Sequence, residues 1–99
     1  MKNKEEVRQA LVHAVLRIAA PMTSSLLAVR LHLDPPKIAA LRNGRIAIFS
    51  IERLIHLATR LGHDVVITVR PRPRVNGRRA RDGEVRVVDL ADPNEVSII

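Results

Sequence analysis

The sequence contains no cysteine, no tryptophan and no tyrosine, and its single phenylalanine is Phe49. Without cysteine there is no disulfide and no thiolate metal site, which fits a reducing compartment. With so few aromatic residues, a core has to be built from Leu, Ile, Val and Ala. The same shortage argues against single-stranded nucleic-acid binding of the RRM or OB type, because those proteins stack bases on aromatic rings.

Long apolar runs are also missing, since none reaches the roughly 18 residues that a membrane-spanning helix requires. Charged side chains interrupt the apolar pattern near the N-terminus, at Glu5, Glu6 and Arg8, and no small-residue cleavage site follows. We therefore expect no signal peptide, no membrane partner and a cytoplasmic protein.

Motifs for catalysis are absent as well. His13, His32, His56 and His63 lack the spacing of a helical metal site, and there is no glycine-rich phosphate loop or serine nucleophile motif. The histidines are expected at surface or boundary positions. We predict that the protein is not an enzyme and uses no metal and no cofactor.

Positive charge is abundant: seventeen Lys and Arg residues against ten acids give a net charge of +7 and a pI near 11.5. Such a balance favours a polyanionic partner, nucleic acid first. A basic protein with a solvated surface and no such partner is the plain alternative.

The stretch TSSLLAVRLHLDPPKIAALRNGR, residues 23–45, predicts two short helices joined by the turn His32-Leu33-Asp34. Leucines and isoleucine recur at helical spacing on one face of each helix, and Ala28 is small enough for the two backbones to approach. Thr23 or Ser24 is placed to cap the first helix, and Asp34 to cap the second before Pro35 and Pro36. This is the pattern of a helix-turn-helix, with its second helix offered to the major groove of DNA.

Two further helices flank this pair. Residues 4–19 carry an amphipathic stripe, with Asn3 as the predicted N-cap and Pro21 as the stop. Residues 51–61 carry a nearly continuous apolar face between a Ser50 cap and Gly62.

The run Val65, Val66, Ile67, Thr68 and Val69 predicts a β-strand. A single strand after four helices has no earlier partner in the chain, so it has to pair with the tail, with another protein or with a second copy of itself. Pairing across a two-fold axis would also explain the dimer that helix-turn-helix binding usually needs.

The composition changes after residue 70. Residues 70–81 hold six arginines and no acid, whereas residues 82–99 hold five acids and one arginine, with a possible short strand at residues 84–90. The arginine segment is open to two interpretations, contact with DNA or an extended tail without a partner. The acidic, apolar end is suited to covering a basic protein surface, or is a tail without a partner.

The fold class expected from these patterns is mainly α, with four to five short helices, a helix-turn-helix and a C-terminal β-strand that pairs across a dimer. Residues 1–70 form the predicted DNA-binding and dimerisation domain, and residues 71–99 the tail.

The blocks MTSSLLAVRLHLDPPKIAALRNGRI and FSIERLIHLATRLGHDVVITVRPR resemble the XRE (Cro/C1-type) helix-turn-helix family, and within it the HigA-type antitoxins of toxin–antitoxin systems. The resemblance runs from about Leu11 to Arg70. There are two departures: His32 stands where the family usually has glycine, and Pro35 stands where a base-reading Gln or Ser is common.

The resemblance, taken with the helix pattern, implies a homodimer that represses transcription from a palindromic operator in double-stranded DNA, with Lys37 reading bases. The predicted DNA-binding residues are Thr23, Ser24, Ser25, Pro36, Lys37, Ala40, Arg42, Asn43 and Arg45. It further implies a cognate toxin as a possible partner. The alternatives are a stand-alone Cro-like phage regulator and an interaction module that does not bind DNA.

Overall fold

The computed structural model describes residues 1–78 and 82–90. Four α-helices form, namely α1 Lys4–Ala19, α2 Ser24–Leu31, α3 Pro35–Arg42 and α4 Ile51–Arg60, and a short 3-10 helix spans Ile46–Ile48. The mainly α fold is therefore as predicted. The observed bounds follow the predicted ones closely, because each helix is delimited by a local cap or stop signal.

Side-chain caps begin three of the helices. Thr23 Oγ1 accepts from the N–H of Leu26 at 3.1 Å, Asp34 Oδ1 from Lys37 N–H at 3.1 Å, and Ser50 Oγ from Arg53 N–H at 3.0 Å. Asn3 occupies the predicted N-cap position of α1, but its side chain does not cap the helix. The side chain is instead hydrogen-bonded to the backbone of Val85.

The same backbone device ends α2, α3 and α4: a residue with positive φ is followed by an N–H that bonds back to the last turn. These residues are His32 (φ 54°), Gly44 (φ 69°) and Gly62 (φ 82°). The returning bonds are Leu33 N to Ala28 O at 3.3 Å, Arg45 N to Ala40 O at 3.0 Å, and His63 N to Ala58 O at 3.2 Å. His32 thus adopts a helix-ending conformation in which glycine is usual and which costs a residue with a side chain more.

The core is aliphatic, as the composition requires. α1 packs mainly against α4, and α2 is inserted between α4 and α3. The most completely buried side chains of the core are Val15, Leu27, Leu31, Leu41, Leu54 and Leu57, and Phe49 is 3% exposed. Among the described residues no polar or charged residue is buried, so apolar burial is the main stabilising term of this core.

The predicted β-strands have no partner within the described residues. Residues 63–74 and 83–90 are not assigned to any helix or strand, and the only described β-bridge joins Val75 to Arg78. Val66, Ile67 and Val69 are 81%, 76% and 93% exposed. A β-strand is defined by its ladder, and this single chain supplies none for residues 65–69.

Residues 82–90 return to the helical domain and lie against α1. The Asn3 amide bonds to both the C=O and the N–H of Val85, at 2.5 and 3.2 Å. Arg17 donates two hydrogen bonds to the Asp89 carboxylate, at 2.6 and 2.7 Å, and half-buried Val87 packs against the core. The predicted tail is therefore attached to the domain up to residue 90, while the predictions for residues 79–81 and 91–99 lie outside the described residues.

The overall shape is elongated, with a radius of gyration of 15.7 Å and extents of 53 × 32 × 16 Å. A compact domain of this length has a radius near 13 Å. The extended segments after α4 account for such a difference, because they add length without adding core.

Candidate nucleic-acid interface

α2 and α3 meet over a shallow open cleft at the surface. Buried Leu27 and Leu31 on α2 and Ile38 and Leu41 on α3 hold the two helices together, and half-buried Ala28 lies where they approach. The cleft is lined by Ser24, Ser25, Ala28, Pro35, Ile38, Ala39, Arg42 and Asn43. Four of the predicted contact residues line this cleft, namely Ser24, Ser25, Arg42 and Asn43, and Thr23 adjoins it. The fold of the single chain therefore already brings these five residues together.

Arg42 ties the end of α3 to the start of α2. Its Nε donates to Ser24 Oγ at 3.1 Å, and its Nη2 donates to the backbone oxygen of Met22 at 2.6 Å. The sequence analysis predicted Arg42 only as a DNA contact. The structure adds that its guanidinium group bonds to Ser24 and links the end of α3 to the start of α2.

The start of α2 offers hydrogen-bond donors. Leu26 N–H is capped by Thr23 Oγ1 and Leu27 N–H bonds to Thr23 O at 3.0 Å. The N–H groups of Ser24 and Ser25 precede these bonds and have no acceptor among the described residues. Both side chains are exposed, so two backbone donors and two hydroxyls face solvent at the positive end of a helix dipole.

The start of α3, in contrast, has no free hydrogen-bond donor for an anion. Pro35 and Pro36 have no N–H, and the first available donor, Lys37 N–H, is already bonded to Asp34. The Asp34 carboxylate also places a negative charge there. An anion is therefore favoured at the start of α2 and disfavoured at the start of α3.

The outer face of α3 carries small side chains. Pro36, Ala39 and Asn43 are exposed at positions i, i+3 and i+7, while Ile38 and Leu41 are buried. Ala39 was missed by the sequence analysis, although the helical spacing from Pro36 could have found it. This face can approach another surface closely because no long side chain protrudes from its centre.

Lys37 is exposed, on the flank of α3 rather than at the centre of that face. It lines a second shallow cleft together with Leu33, Ile48, Phe49, Ser50 and Arg53. Arg53, from the first turn of α4, is a second cation beside Lys37 that the sequence did not single out. Arg45 follows the Gly44 stop and is also exposed.

Ala40 requires a correction. It was predicted as a DNA contact, but its side chain is only 7% exposed. Ala40 is not one of the residues of the apolar core cluster, which on α3 are Ile38 and Leu41. With so little of its side chain accessible, Ala40 offers almost no surface to DNA in this fold.

The sign of charge around the interface is nearly uniform. Asp34 is the one acid between residues 7 and 51, and its carboxylate is engaged in capping α3. Within residues 1–78 and 82–90, no group of His, Asp and Glu side chains is arranged to hold a metal ion. No helix in the described part of the chain is long and apolar enough to span a membrane.

Comparison with known proteins agrees with this geometry. A family model described as a helix-turn-helix domain matches residues 23–70, which begin at the cap of α2 and end after the valine-rich segment. No significant match is found among curated proteins. A solved structure described as an XRE family transcriptional regulator superposes with a TM-score of 0.73 at 29% identity, covering 92% of this chain and 98% of that one. Residues 23–70, which include α2, α3 and α4, are therefore similar to a helix-turn-helix domain, and the whole fold is similar to that of an XRE family regulator.

Proposed function

We propose that the protein is a sequence-specific regulator of transcription that binds double-stranded DNA through α2 and α3 and acts as a repressor. One observation carries the proposal. The start of α2 has free hydrogen-bond donors at Ser24 and Ser25, and the neighbouring α3 has an exposed face of small side chains. The helix-turn-helix match over residues 23–70 supports it.

Each part of the interface has a chemical role in this proposal. The N–H and hydroxyl groups of Ser24 and Ser25 bind a backbone phosphate, while Arg42 holds Ser24 in place. α3 then enters the major groove with Pro36 and Ala39 foremost. Because these side chains are apolar, they suit contact with thymine methyl groups rather than hydrogen-bonded readout of adenine.

Hydrogen bonds to the DNA bases are made from the flank of α3 in this proposal. Lys37 reaches guanine O6 and N7, which are the usual targets of a lysine in the major groove. Asn43 and Arg45, at the other end of α3, bind phosphates, and Thr23 adds its hydroxyl beside Ser24. Arg53 stands next to Lys37 and supplies charge on the same flank.

The functional unit in this proposal is a homodimer joined by residues 65–69. Three large apolar side chains of this segment are exposed, and its backbone groups have no hydrogen-bond partner among the described residues. An exposed apolar strand edge is unfavourable in water and is satisfied by antiparallel pairing with a second copy. Two copies related by a two-fold axis match a palindromic operator with half-sites about 34 Å apart.

DNA binding is tested by fluorescence anisotropy on a fragment that carries the promoter of the protein's own gene. Lys37→Ala should weaken binding by about 30-fold or more, since a good base contact is worth about 1–3 kcal/mol and the dimer loses one in each half-site. Arg60→Ala, which removes an exposed cation from the last turn of α4, is the control and should change little. Footprinting should show a protected inverted repeat, and a wild-type protein that binds no fragment better than random duplex contradicts the proposal.

Dimerisation is tested by sedimentation of an Ile67→Lys variant. Ile67 is 76% exposed in the single chain, so the change disturbs the interface and leaves the fold of the protomer intact. Val29→Lys, at a 74% exposed position on α2, is the matched control. We expect a monomer for Ile67→Lys and a dimer for the control and the wild type; a dimer in all three would exclude residues 65–69 as the interface.

An antitoxin role is the more specific form of the proposal. It is supported by the sequence resemblance of residues 11–70 to HigA-type antitoxins and by apolar surface left open after α4, at Val66, Ile67 and Val69. A small toxin gene beside this one, lethal when expressed alone and neutralised by this chain, would establish it. If no such gene is present, a stand-alone Cro-like regulator is the better description. Lack of binding to any duplex would leave an interaction module.

A further inference from the structure

The segment after the apolar residues 65–69 ends in a tight turn. Val75 N–H donates to Arg78 O at 2.9 Å, and Arg78 N–H donates to Val75 O at 3.0 Å. Asn76 and Gly77 between them have φ of 52° and 73°. Two central residues with positive φ and an Asn-Gly sequence define a type I′ turn, whose twist suits a β-hairpin. We call residues 70–78 the arginine hairpin.

Its charge is concentrated and of one sign. Arg70, Arg72, Arg74 and Arg78 lie in the arginine hairpin, and the chain has no acid from residue 65 to residue 81. Within the described residues one ion pair reaches the hairpin, from Arg72 to Glu84 at 3.8 Å. Arg74 and Arg78 have no carboxylate partner among those residues, and both are exposed.

Its backbone is unsuited to binding a protein by strand addition. Pro71 and Pro73 alternate with the arginines, and each removes an N–H that a β-ladder would use. The same prolines keep φ near −65°, which holds the segment extended and limits the entropy lost when it is ordered. An extended, cationic segment with few donors on its backbone presents guanidinium groups as its main binding chemistry, and these match phosphate oxygens.

Its base is anchored to the helical domain. Glu84 pairs with Arg72, Val85 is held by the Asn3 side chain, and Asp89 is held by Arg17 on α1. The arginine hairpin is therefore not a free tail. It continues from residue 69, and the described segment beyond it, residues 82–90, is held against the N-terminus and α1.

From these observations we propose that the arginine hairpin is a second DNA-binding element, which contacts the phosphate backbone of the same duplex outside the stretch covered by α2 and α3. This inference rests on the proposed function and adds a second region of binding to it. Arg74 and Arg78 at the tip bind the phosphates, and Arg72 stays with Glu84 to hold the hairpin in position.

The test compares the full-length protein with the double variant Arg74→Gln/Arg78→Gln on two duplexes. One contains only the operator, and the other extends it by about one helical turn, 10 base pairs, on each side. The control is Lys2→Gln/Arg60→Gln, which removes the same charge from exposed positions on α1's N-terminal side and on α4. Thermal unfolding of all three proteins confirms equal folding.

On the extended duplex, removing two phosphate-binding guanidinium groups from each of the two hairpins of the dimer should reduce the slope of log affinity against log salt by about 3.6. Between 50 and 200 mM salt the wild-type affinity should then fall about 150-fold more than that of the hairpin variant. The control should keep the wild-type slope. On the short duplex the wild type and the hairpin variant should bind alike.

Equal slopes for wild type and hairpin variant on the extended duplex would overturn the inference, as would an equal reduction of the slope in the control. The two proposals fail separately. If Lys37→Ala abolishes binding while the hairpin variant keeps the wild-type slope, only the role of the hairpin is wrong. If the hairpin variant is weakened and Lys37→Ala is not, the hairpin binds DNA and the role of α3 is wrong.

Discussion

His32 holds the backbone between α2 and α3 in the left-handed region, with φ 54° and ψ 43°. Its N–H bonds to Ala28 O, and the next residue, Leu33, is buried at 6% exposure. The turn therefore depends on a conformation that costs an L-residue about 1–2 kcal/mol. The rest of the helix-turn-helix imposes it, because burial of Leu33 fixes the direction of the chain.

Replacing His32 with glycine should stabilise the fold. The left-handed penalty disappears, and the larger entropy of glycine in the unfolded chain offsets about half of the gain. We expect the free energy of unfolding to rise by about 0.5 kcal/mol and the thermal midpoint by about 2–4 °C. Urea and thermal unfolding measure both quantities.

Gly62→Ala is the counterpart of that change. Gly62 has φ 82°, and a Cβ there would meet nothing within 4 Å. The substitution therefore changes stability through the backbone conformation and not through a steric clash. It should destabilise the protein by about 1 kcal/mol. If His32→Gly were destabilising, the histidine ring would be contributing an interaction that outweighs its backbone strain.

At the scale of elements, α2 is the helix on which the site depends most. Leu27 and Leu31 are fully buried on its inner face, while Val29 on the outer face is 74% exposed. Leu27→Ala should therefore cost about 2–5 kcal/mol of unfolding free energy, as expected for a large-to-small change in a well-packed core. In a domain of this size such a loss removes a large part of the total stability.

The matched control is Val29→Ala, which should change stability by less than about 0.5 kcal/mol because the side chain is already in water. Urea unfolding followed by circular dichroism compares the two variants. A similar cost for both would mean that the outer face of α2 is covered, by a second copy or by a segment outside the described residues.

For the whole molecule, the contact between Arg17 and Asp89 joins the end of the described chain to α1. The hydrogen bonds from Arg17 hold the pKa of the Asp89 carboxyl below its usual value of 3.8, against a smaller opposing effect of burial; the charges of Arg17 and His63 lower that pKa further. A carboxyl with a lowered pKa in the folded state adds stability above its unfolded pKa. That stability is lost as the pH falls through the folded pKa, hence below about pH 3.8.

Asp89→Asn should consequently lower the urea midpoint at neutral pH. The midpoint of the variant should also fall less than that of the wild type when the pH is lowered below about 3.8. Arg86→Gln removes a cation that, among the described residues, pairs with Glu84 on the same segment and not with α1, and it serves as the control. Unfolding midpoints at pH 7 and near pH 3 would measure the difference. Equal midpoints for wild type and Asp89→Asn at both pH values would show that the contact contributes nothing to stability.

The sequence by itself determined the helices, the caps at Thr23, Asp34 and Ser50, and the helix-turn-helix. These depend on neighbours within a few positions, where periodicity and capping chemistry act directly. It also determined that α3 would present Lys37, since its charge keeps it out of the core.

Only the tertiary structure decided that Ala40 is buried, that Arg42 bonds to Ser24, and that Asn3 and Arg17 bind the segment around Val85 and Asp89. These facts join residues up to 82 positions apart. No local pattern records such contacts, because they follow from how the aliphatic core orients each helix. Small and polar residues at the boundary of that core are the ones whose partners the sequence leaves open.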